Sequence, residues 1–103
     1  MVSAWVKKND KWGFIDKTGK EIASCIYDDV SYFSEGLACV RKNDKFGFVD
    51  KTGKEVIPCI YDRAEEFCEG LAWVNKNDKF GFIDKTGKEV ISCIYDDAYN
   101  FEE

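Results

Sequence analysis

Two pairs of adjacent carboxylates come closest, among the residues of this chain, to the residue types of a catalytic or metal site. Asp28-Asp29 and Asp96-Asp97 could act as general acid and base, or could hold Ca²⁺ through their oxygens. Their spacing differs from that of an EF-hand loop, and Arg63 interrupts the pair at the equivalent place in the middle of the chain. We therefore interpret these acids as parts of solvated turns.

The residues that nucleophilic or phosphate chemistry requires are missing from the sequence. The chain has no histidine, so Ser/His/Asp and Cys/His arrangements cannot form. The segment Lys17-Thr18-Gly19-Lys20 lacks the composition and the spacing of a phosphate-binding loop. The sequence predicts a protein that is not an enzyme and that has no cofactor and no metal site.

The cysteines do not form a pattern of metal ligands either. Five are present, and none belongs to a Cys-x-x-Cys pair. Cys25, Cys59 and Cys93 lie 34 residues apart, and equivalent positions in stacked units are usually too distant for a disulfide. We predict that each repeated cysteine is a small buried apolar residue.

An internal repeat of 34 residues predicts the secondary-structure elements in which these acids and cysteines lie. The motif Asp-Lys-aromatic-Gly-Phe occurs at residues 10–14, 44–48 and 78–82. Such a period is typical of an array of small units, each of which buries its apolar face against a neighbour. We place three units in one continuous repeat domain, at residues 1–36, 37–70 and 71–103.

Each unit has the pattern of a β-hairpin. In the third unit, Asn77-Asp78 tolerates the positive φ of a two-residue turn and lies between two stretches rich in strand formers. Counting outward from that turn pairs Trp73 with Phe82 on one face and Ala72 with Ile83 on the other. Both faces are apolar, so we expect both to be covered by neighbouring hairpins.

The remainder of the unit is less clearly patterned. Gly87 suits the left-handed position that closes a hairpin loop, and a third, short strand is predicted at residues 89–91. The segment after it fits a single helical turn, a fourth strand or an irregular crossover. We expect each repeated Tyr-Asp pair to pack a ring and to hydrogen-bond a turn.

The motif aromatics have two interpretations. Each unit needs a core, and the predicted pairing assigns Trp73, Phe80 and Phe82 to it. Stacking of sugars on exposed aromatic rings is the alternative. The same pairing in the first unit places Lys7 opposite Trp12, where a cation–π contact can form.

The variable part of the repeat is short. Residues 37–69 and 71–103 are identical at 25 of 33 positions, and four of the eight differences fall within residues 63–68. Variation confined to one face often marks the surface that meets partners, although drift of an exposed loop explains it equally well. The predicted partner-binding strip comprises Asp29, Ser31, Tyr32, Arg63, Glu65, Glu66, Asp97, Tyr99 and Asn100.

The whole unit resembles the WG repeat, also called the KWG repeat, of bacterial proteins. The segments that carry the resemblance are Lys11-Trp12-Gly13-Phe14-Ile15-Asp16, Val56-Ile57-Pro58, Tyr61-Asp62 and Phe67-Cys68-Glu69-Gly70-Leu71-Ala72. Phe46 and Phe80 replace the tryptophan of the motif, with the same apolar role. The resemblance implies a β-rich array, generally without enzymatic activity, that serves in binding or scaffolding.

These patterns predict an all-β protein of three tandem β-hairpin repeats in an open, solenoid-like stack, because no capping unit or closure device is visible. A closed ring or barrel, in which the two chain ends complete one unit together, is the alternative. Both ends interrupt the repeat, as expected of a piece of a longer series. Exposed terminal hairpins predict end-to-end self-association.

Charge and hydropathy narrow the choice of partner. The net charge of −5 at pH 7 disfavours nucleic acid and anionic membranes, and no apolar run approaches the roughly 20 residues of a membrane span. The start lacks the features of a signal peptide, so we expect a cytoplasmic location. We predict a module that mediates protein–protein interaction or scaffolding within a larger bacterial protein. A glycan- or cell-envelope-binding module is the alternative.

Overall fold

A computed structural model describes residues 3–99 of the chain, as three separate antiparallel β-sheets. Sheet 1 contains β1 (Ser3–Lys8), β2 (Lys11–Asp16) and β3 (Glu21–Tyr27). Sheet 2 contains β4 (Asp29–Val30), β5 (Leu37–Lys42), β6 (Lys45–Asp50) and β7 (Glu55–Tyr61). Sheet 3 contains β8 (Arg63–Ala64), β9 (Leu71–Lys76), β10 (Lys79–Asp84) and β11 (Glu89–Tyr95).

The described part of the chain is all β and open, as predicted. Each sheet ends in free edges, and the strands of residues 3–99 do not close into a barrel. No segment in that range forms a helix long and apolar enough to cross a membrane. The closed alternative is therefore wrong for the described residues.

The predicted hairpin is confirmed in detail. Asn77 and Asp78 have φ of 55° and 66°, which is the geometry of a two-residue turn that matches strand twist. The register pairs Trp73 with Phe82, as counting from the turn requires. The same turn and the same register recur in the other two sheets, because the turn residues repeat.

The third strand of the repeat unit is longer than predicted. β11 runs to Tyr95, whereas the sequence predicted a strand only at residues 89–91. A bulge allows the extension: Phe82 pairs with Ile91 and Phe80 with Tyr95, so three residues of β11 face Gly81 alone. A Cβ atom on Gly81 would lie 2.4 Å from the carbonyl oxygen of Ile91. The motif glycine is thus required by close approach of the bulged backbone.

The segment after the third strand forms neither a helical turn nor a fourth strand of its own sheet. β4 and β8 are two-residue strands that pair with the first long strand of the following hairpin, β5 and β9 respectively. Each of these short strands therefore joins its repeat to the edge of the following sheet, and we call this pairing the clip. The sequence periodicity indicated the segment but not the partner strand.

The core lies between sheets, and each interface joins two unlike faces. The first cluster combines Phe14, Ala23 and Tyr27 of sheet 1 with Ala38, Val40 and Val49 of sheet 2. The second combines Cys39, Phe48, Ile57 and Tyr61 of sheet 2 with Ala72, Val74 and Ile83 of sheet 3. In each case the aromatic face of one sheet packs against the aliphatic face of the next, so both faces of sheet 2 are covered, as expected.

A polar clamp fixes the junction between sheets 1 and 2. The hydroxyl of Tyr27 donates to Oε2 of Glu55 at 2.9 Å, and Nζ of Lys42 lies 3.0 Å from the same oxygen and 5.7 Å from the Tyr27 ring centroid. Burial, with the Glu55 carboxylate, raises the pKa of Tyr27. Asp28 binds Lys11 and accepts a hydrogen bond of 3.3 Å from the amide of Asn43, in the next hairpin turn.

The lysine, glutamate and aspartate contacts of this clamp recur between sheets 2 and 3, where the described residues show no hydrogen bond from the Tyr61 hydroxyl to Glu89. Lys76 lies 5.9 Å from the Tyr61 ring centroid and 2.7 Å from Glu89. Asp62 binds Lys45 and accepts a hydrogen bond of 3.1 Å from the amide of Asn77. The Tyr-Asp pair packs a ring and hydrogen-bonds a turn, as predicted, and the turn belongs to the following repeat.

The cysteines depart from the prediction in one respect. All five are free, but Cys25, Cys59 and Cys93 are half-buried and only Cys39 is buried. The repeated cysteines lie in the bulged part of the third strand of each repeat, between the positions that pair with the second strand. Burial raises the pKa of Cys39 to about 12 and that of Cys59 to about 11, so neither thiol is activated as a nucleophile.

Candidate functional site

The variable segment of the first repeat follows the edge of sheet 2. Asp29 pairs with Arg41 across β4 and β5, and the amide of Ser31 donates to the carbonyl of Cys39 at 2.9 Å. The Ser31 hydroxyl accepts a hydrogen bond of 3.0 Å from the Cys39 amide. These bonds hold the backbone at the edge and leave the Asp29 side chain exposed.

The variable segment of the second repeat is held in the same way on sheet 3. Ala64 pairs with Val74 and is buried, and the amide of Glu65 donates to the carbonyl of Trp73 at 3.1 Å. Glu65 and Glu66 are exposed. The alternation of buried and exposed residues shows why this stretch varies on one side only.

Two adjoining cavities connect the variable segments of the first and second repeats. One has a volume of about 280 Å³ and the other about 500 Å³, and both are lined by Asp29, Val30, Ser31 and Glu66. We call the combined feature the acidic groove. Its further lining residues are Trp5, Trp12 and Tyr32 at one end, and Cys39, Val40, Arg41, Phe46, Ala64 and Glu65 at the other.

The groove has an excess of negative charge. Asp29, Glu65 and Glu66 contribute three carboxylates, and none of the ion pairs between residues 3–99 uses them. Arg41 is the one basic residue that lines either cavity in the described part of the chain, and it lies 3.5 Å from Asp44. The groove therefore suits a ligand with cationic groups.

Two tryptophans form the wall at one end of the groove. Trp5 packs edge-on against Phe14 with ring centroids 4.9 Å apart, and stacks on Phe33 at 5.9 Å. Lys7 lies 5.7 Å above the Trp12 ring, which confirms the predicted cation–π contact. Both indoles are half-buried, so their expected role in the core is only partial, and the rest of each ring faces the groove.

The adjacent carboxylates do not act as pairs. Asp28 faces Lys11 and the next hairpin turn, whereas Asp29 Oδ1 accepts a hydrogen bond from the amide of Val30. Among residues 3–99 no group of three His, Cys, Asp or Glu side chains could hold a metal ion. The hydrogen bond from Lys11 holds the pKa of Asp28 below its ordinary value, which fits a structural carboxylate.

The structure brings together five of the predicted strip residues and separates the others. Asp29, Ser31, Tyr32, Glu65 and Glu66 line the acidic groove. Arg63 pairs with Asn75 outside both cavities, Asp97 and Tyr99 are exposed beyond the last strand, and Asn100 lies outside the described residues.

Sequence reasoning missed the groove residues that come from the hairpins themselves. Trp5, Trp12, Arg41 and Phe46 line the groove but lie outside the predicted partner-binding strip, although the alternative of sugar stacking used exposed aromatic rings. One signal could have identified part of this set. Cys39 and Arg41 are among the eight positions at which the second and third repeats differ, although they lie outside the variable segment.

Comparison with known proteins gives one match. A family model described as "WG containing repeat" matches residues 12–46, 46–80 and 80–103, so each match begins at the aromatic residue of the motif. Neither a search of curated proteins nor a search of solved structures found a match.

Proposed function

The chain belongs to the family of WG containing repeats, and we propose that it is a non-enzymatic module through which a larger bacterial protein binds a protein partner. The observation that carries this proposal is the acidic groove, which joins the variable residues of two successive repeats. The hairpins that support the groove hardly vary between repeats, so the exposed edge is the part that can differ between partners.

The charges of the groove favour an extended partner segment that carries lysine or arginine. Asp29 and Glu66 line both cavities, and Glu65 lies at one end. Because these carboxylates are exposed, each contact with a cation contributes about 0.2–1 kcal/mol, and their sum mainly raises the association rate. The half-buried rings of Trp5 and Trp12 offer apolar and cation–π contacts to the same segment.

Calorimetric titration with a lysine-rich peptide tests the proposal. The Glu65→Gln/Glu66→Gln variant is expected to bind the peptide about tenfold more weakly, because two exposed ion pairs of roughly 0.5–1 kcal/mol are removed. Asp10→Asn/Asp78→Asn is a matched control, since it changes the net charge equally in exposed hairpin turns outside the groove. Equal weakening by both variants would contradict the assignment to the groove.

A glycan ligand is the second candidate, and the larger cavity favours it. The walls of Trp5, Trp12 and Tyr32 offer ring faces for sugar stacking, and Asp29 and Glu66 can accept hydrogen bonds from hydroxyls. Tryptophan fluorescence during titration with neutral oligosaccharides separates the two candidates. A response that Trp12→Phe abolishes, with no binding of the basic peptide, would replace the protein partner by a glycan. Phe occupies the equivalent place in the other repeats, so this variant is expected to fold.

A further inference from the structure

The two ends of the array differ from its interior in a complementary way. At the interior junctions, Ala38, Val40 and Val49 or their equivalents are buried against the preceding sheet. On sheet 1 the corresponding face is uncovered: Ala4 is exposed, and Val6 and Ile15 are half-buried. Sheet 1 therefore presents an aliphatic face of the kind that packs on an aromatic face elsewhere in the molecule.

Sheet 3 presents the other half of such a junction. Tyr27 and Tyr61 are 3% and 2% exposed, but the equivalent Tyr95 is 51% exposed. Ile91 is half-buried, whereas Ile57, one repeat earlier, is fully buried. The difference arises because sheet 3 has no following sheet among the described residues.

The residues of the polar clamp are also split between the two ends: the lysine–glutamate pair lies at one end and the tyrosine at the other. Lys8 and Glu21 are equivalent to Lys42 and Glu55, and they already form their ion pair at 2.9 Å, with no tyrosine against them in residues 3–99. At the other end, Tyr95 lacks a pair of this kind in the same range. Each end thus holds the half of the clamp that the other end needs.

The aspartate–turn contact of the interior junctions is also incomplete at both ends: one end has the aspartate and the other has the turn and the hairpin loop. Asp96 binds Lys79, as its equivalents bind their own lysines, but no turn amide bonds it in the described part of the chain. Asn9 has the turn conformation of Asn43 and Asn77 at the opposite end. A Cβ on Gly53 or Gly87 would contact the preceding repeat, whereas one on Gly19 has no atom within 4 Å.

We infer that two copies of this chain associate head to tail, with the aliphatic face of sheet 1 of one copy on the aromatic face of sheet 3 of the other. The contact repeats the interior junction: Tyr95 and Asp96 of one copy meet the Lys8–Glu21 pair and the Asn9 turn of the next. The two surfaces differ, so the association is heterologous and each added copy leaves one end free for another. This inference does not depend on the acidic groove.

Sedimentation analysis of the 103-residue chain over a wide range of concentration tests the inference. The average mass is expected to rise with concentration above that of the monomer. Ala4→Asp places a charge on the aliphatic face, and Tyr95→Asp places one on the aromatic face. Both positions are exposed within the monomer, so each variant is expected to fold and to remain monomeric alone.

A mixture of the two variants tests the direction of the contact. Each retains one intact end, so an equimolar mixture is expected to form a 1:1 dimer and nothing larger. Tyr32→Asp, at an exposed tyrosine of the groove, is the matched control and is expected to associate like the original chain. A monomeric original chain, self-association of either end variant, or a mixture that stays monomeric would each overturn the inference.

Discussion

Tyr61 in the second repeat and Tyr95 in the third occupy the same place in nearly identical sequence, but one is 2% exposed and the other 51%. Lys76 and Glu89, which cover Tyr61, both come from the following repeat. The protection of a residue is therefore decided by the neighbouring repeat and not by its own hairpin. In an array of this kind, stability is a sum of unit and nearest-neighbour terms, and sheet 2 contributes to two junctions.

Substitution of the motif glycine is expected to give the largest difference in stability loss between the middle repeat and the last one. A Cβ on Gly47 would lie 2.4 Å from the carbonyl oxygen of Ile57, so Gly47→Ala must displace a strand that belongs to both junctions. We expect Gly47→Ala to lower the free energy of unfolding by at least about 3 kcal/mol, at or above the upper end of the usual cost of overpacking, measured by urea denaturation.

Gly81→Ala introduces the same clash against Ile91 in the end repeat. Its effect is expected to be smaller, and to be confined to sheet 3 in hydrogen exchange. Gly19→Ala is a control without a clash: its Cβ has no atom within 4 Å, so the positive φ of Gly19 is the one source of strain, at about 1 kcal/mol. Equal losses for Gly47→Ala and Gly19→Ala would contradict the steric explanation.

The two tyrosines provide the next test. Tyr61→Ala removes a buried ring from the core and is expected to cost about 3 kcal/mol, while Tyr95→Ala is expected to cost less than about 1 kcal/mol. Urea denaturation at low protein concentration measures both without self-association. Similar costs for the two substitutions would mean that the tyrosine acts within its own hairpin.

The aspartates give a smaller and pH-dependent difference. Hydrogen bonds from Lys45 and from the Asn77 amide lower the pKa of Asp62. Because the unfolded chain then binds more protons, this stabilisation is present above the ordinary pKa of about 3.9 and is lost as the pH falls through the lowered one. We expect Asp62→Asn to lower the urea midpoint at pH 7 and to have little effect near pH 2.

Asp96→Asn is the matched substitution at the end of the array. Asp96 keeps its lysine but has no bond from a following turn in the described residues, so the shift of the urea midpoint at pH 7 is expected to be smaller than for Asp62→Asn. A larger shift for Asp96→Asn would contradict the role of the turn amide.

The smallest effect is expected in the groove. Glu65 and Glu66 are exposed and form none of the ion pairs between described residues, so Glu65→Gln/Glu66→Gln is expected to change the free energy of unfolding by less than about 0.5 kcal/mol. Thermal denaturation checks this directly. A loss as large as that of Tyr61→Ala would mean that the groove carboxylates support the fold.

Much of the hairpin could be predicted from the sequence, because its signals are local. Asn77-Asp78 determines the turn, and counting from it gives each pairing across β9 and β10. The bulge opposite Gly81 was harder to predict, since it depends on how many residues of the third strand pass one residue of the second.

The groove could be predicted only in part, because it is formed between repeats. Variation identified the exposed residues Glu65 and Glu66, but no periodic signal connects Asp29 with Trp5 across the junction. The clip of β4 onto β5 is a contact with the following repeat, so the pattern within one repeat unit does not predict it.

Because β4 pairs with β5 of the following repeat, a groove segment does not coincide with one sequence repeat. A groove segment needs the variable stretch of one repeat and the hairpin of the next, so a single 34-residue copy would contain no complete segment. If the chain binds an extended partner as proposed, each further copy with the same clip would add one groove segment to the contact. Gene duplication would then lengthen the contact without a change in any single groove segment.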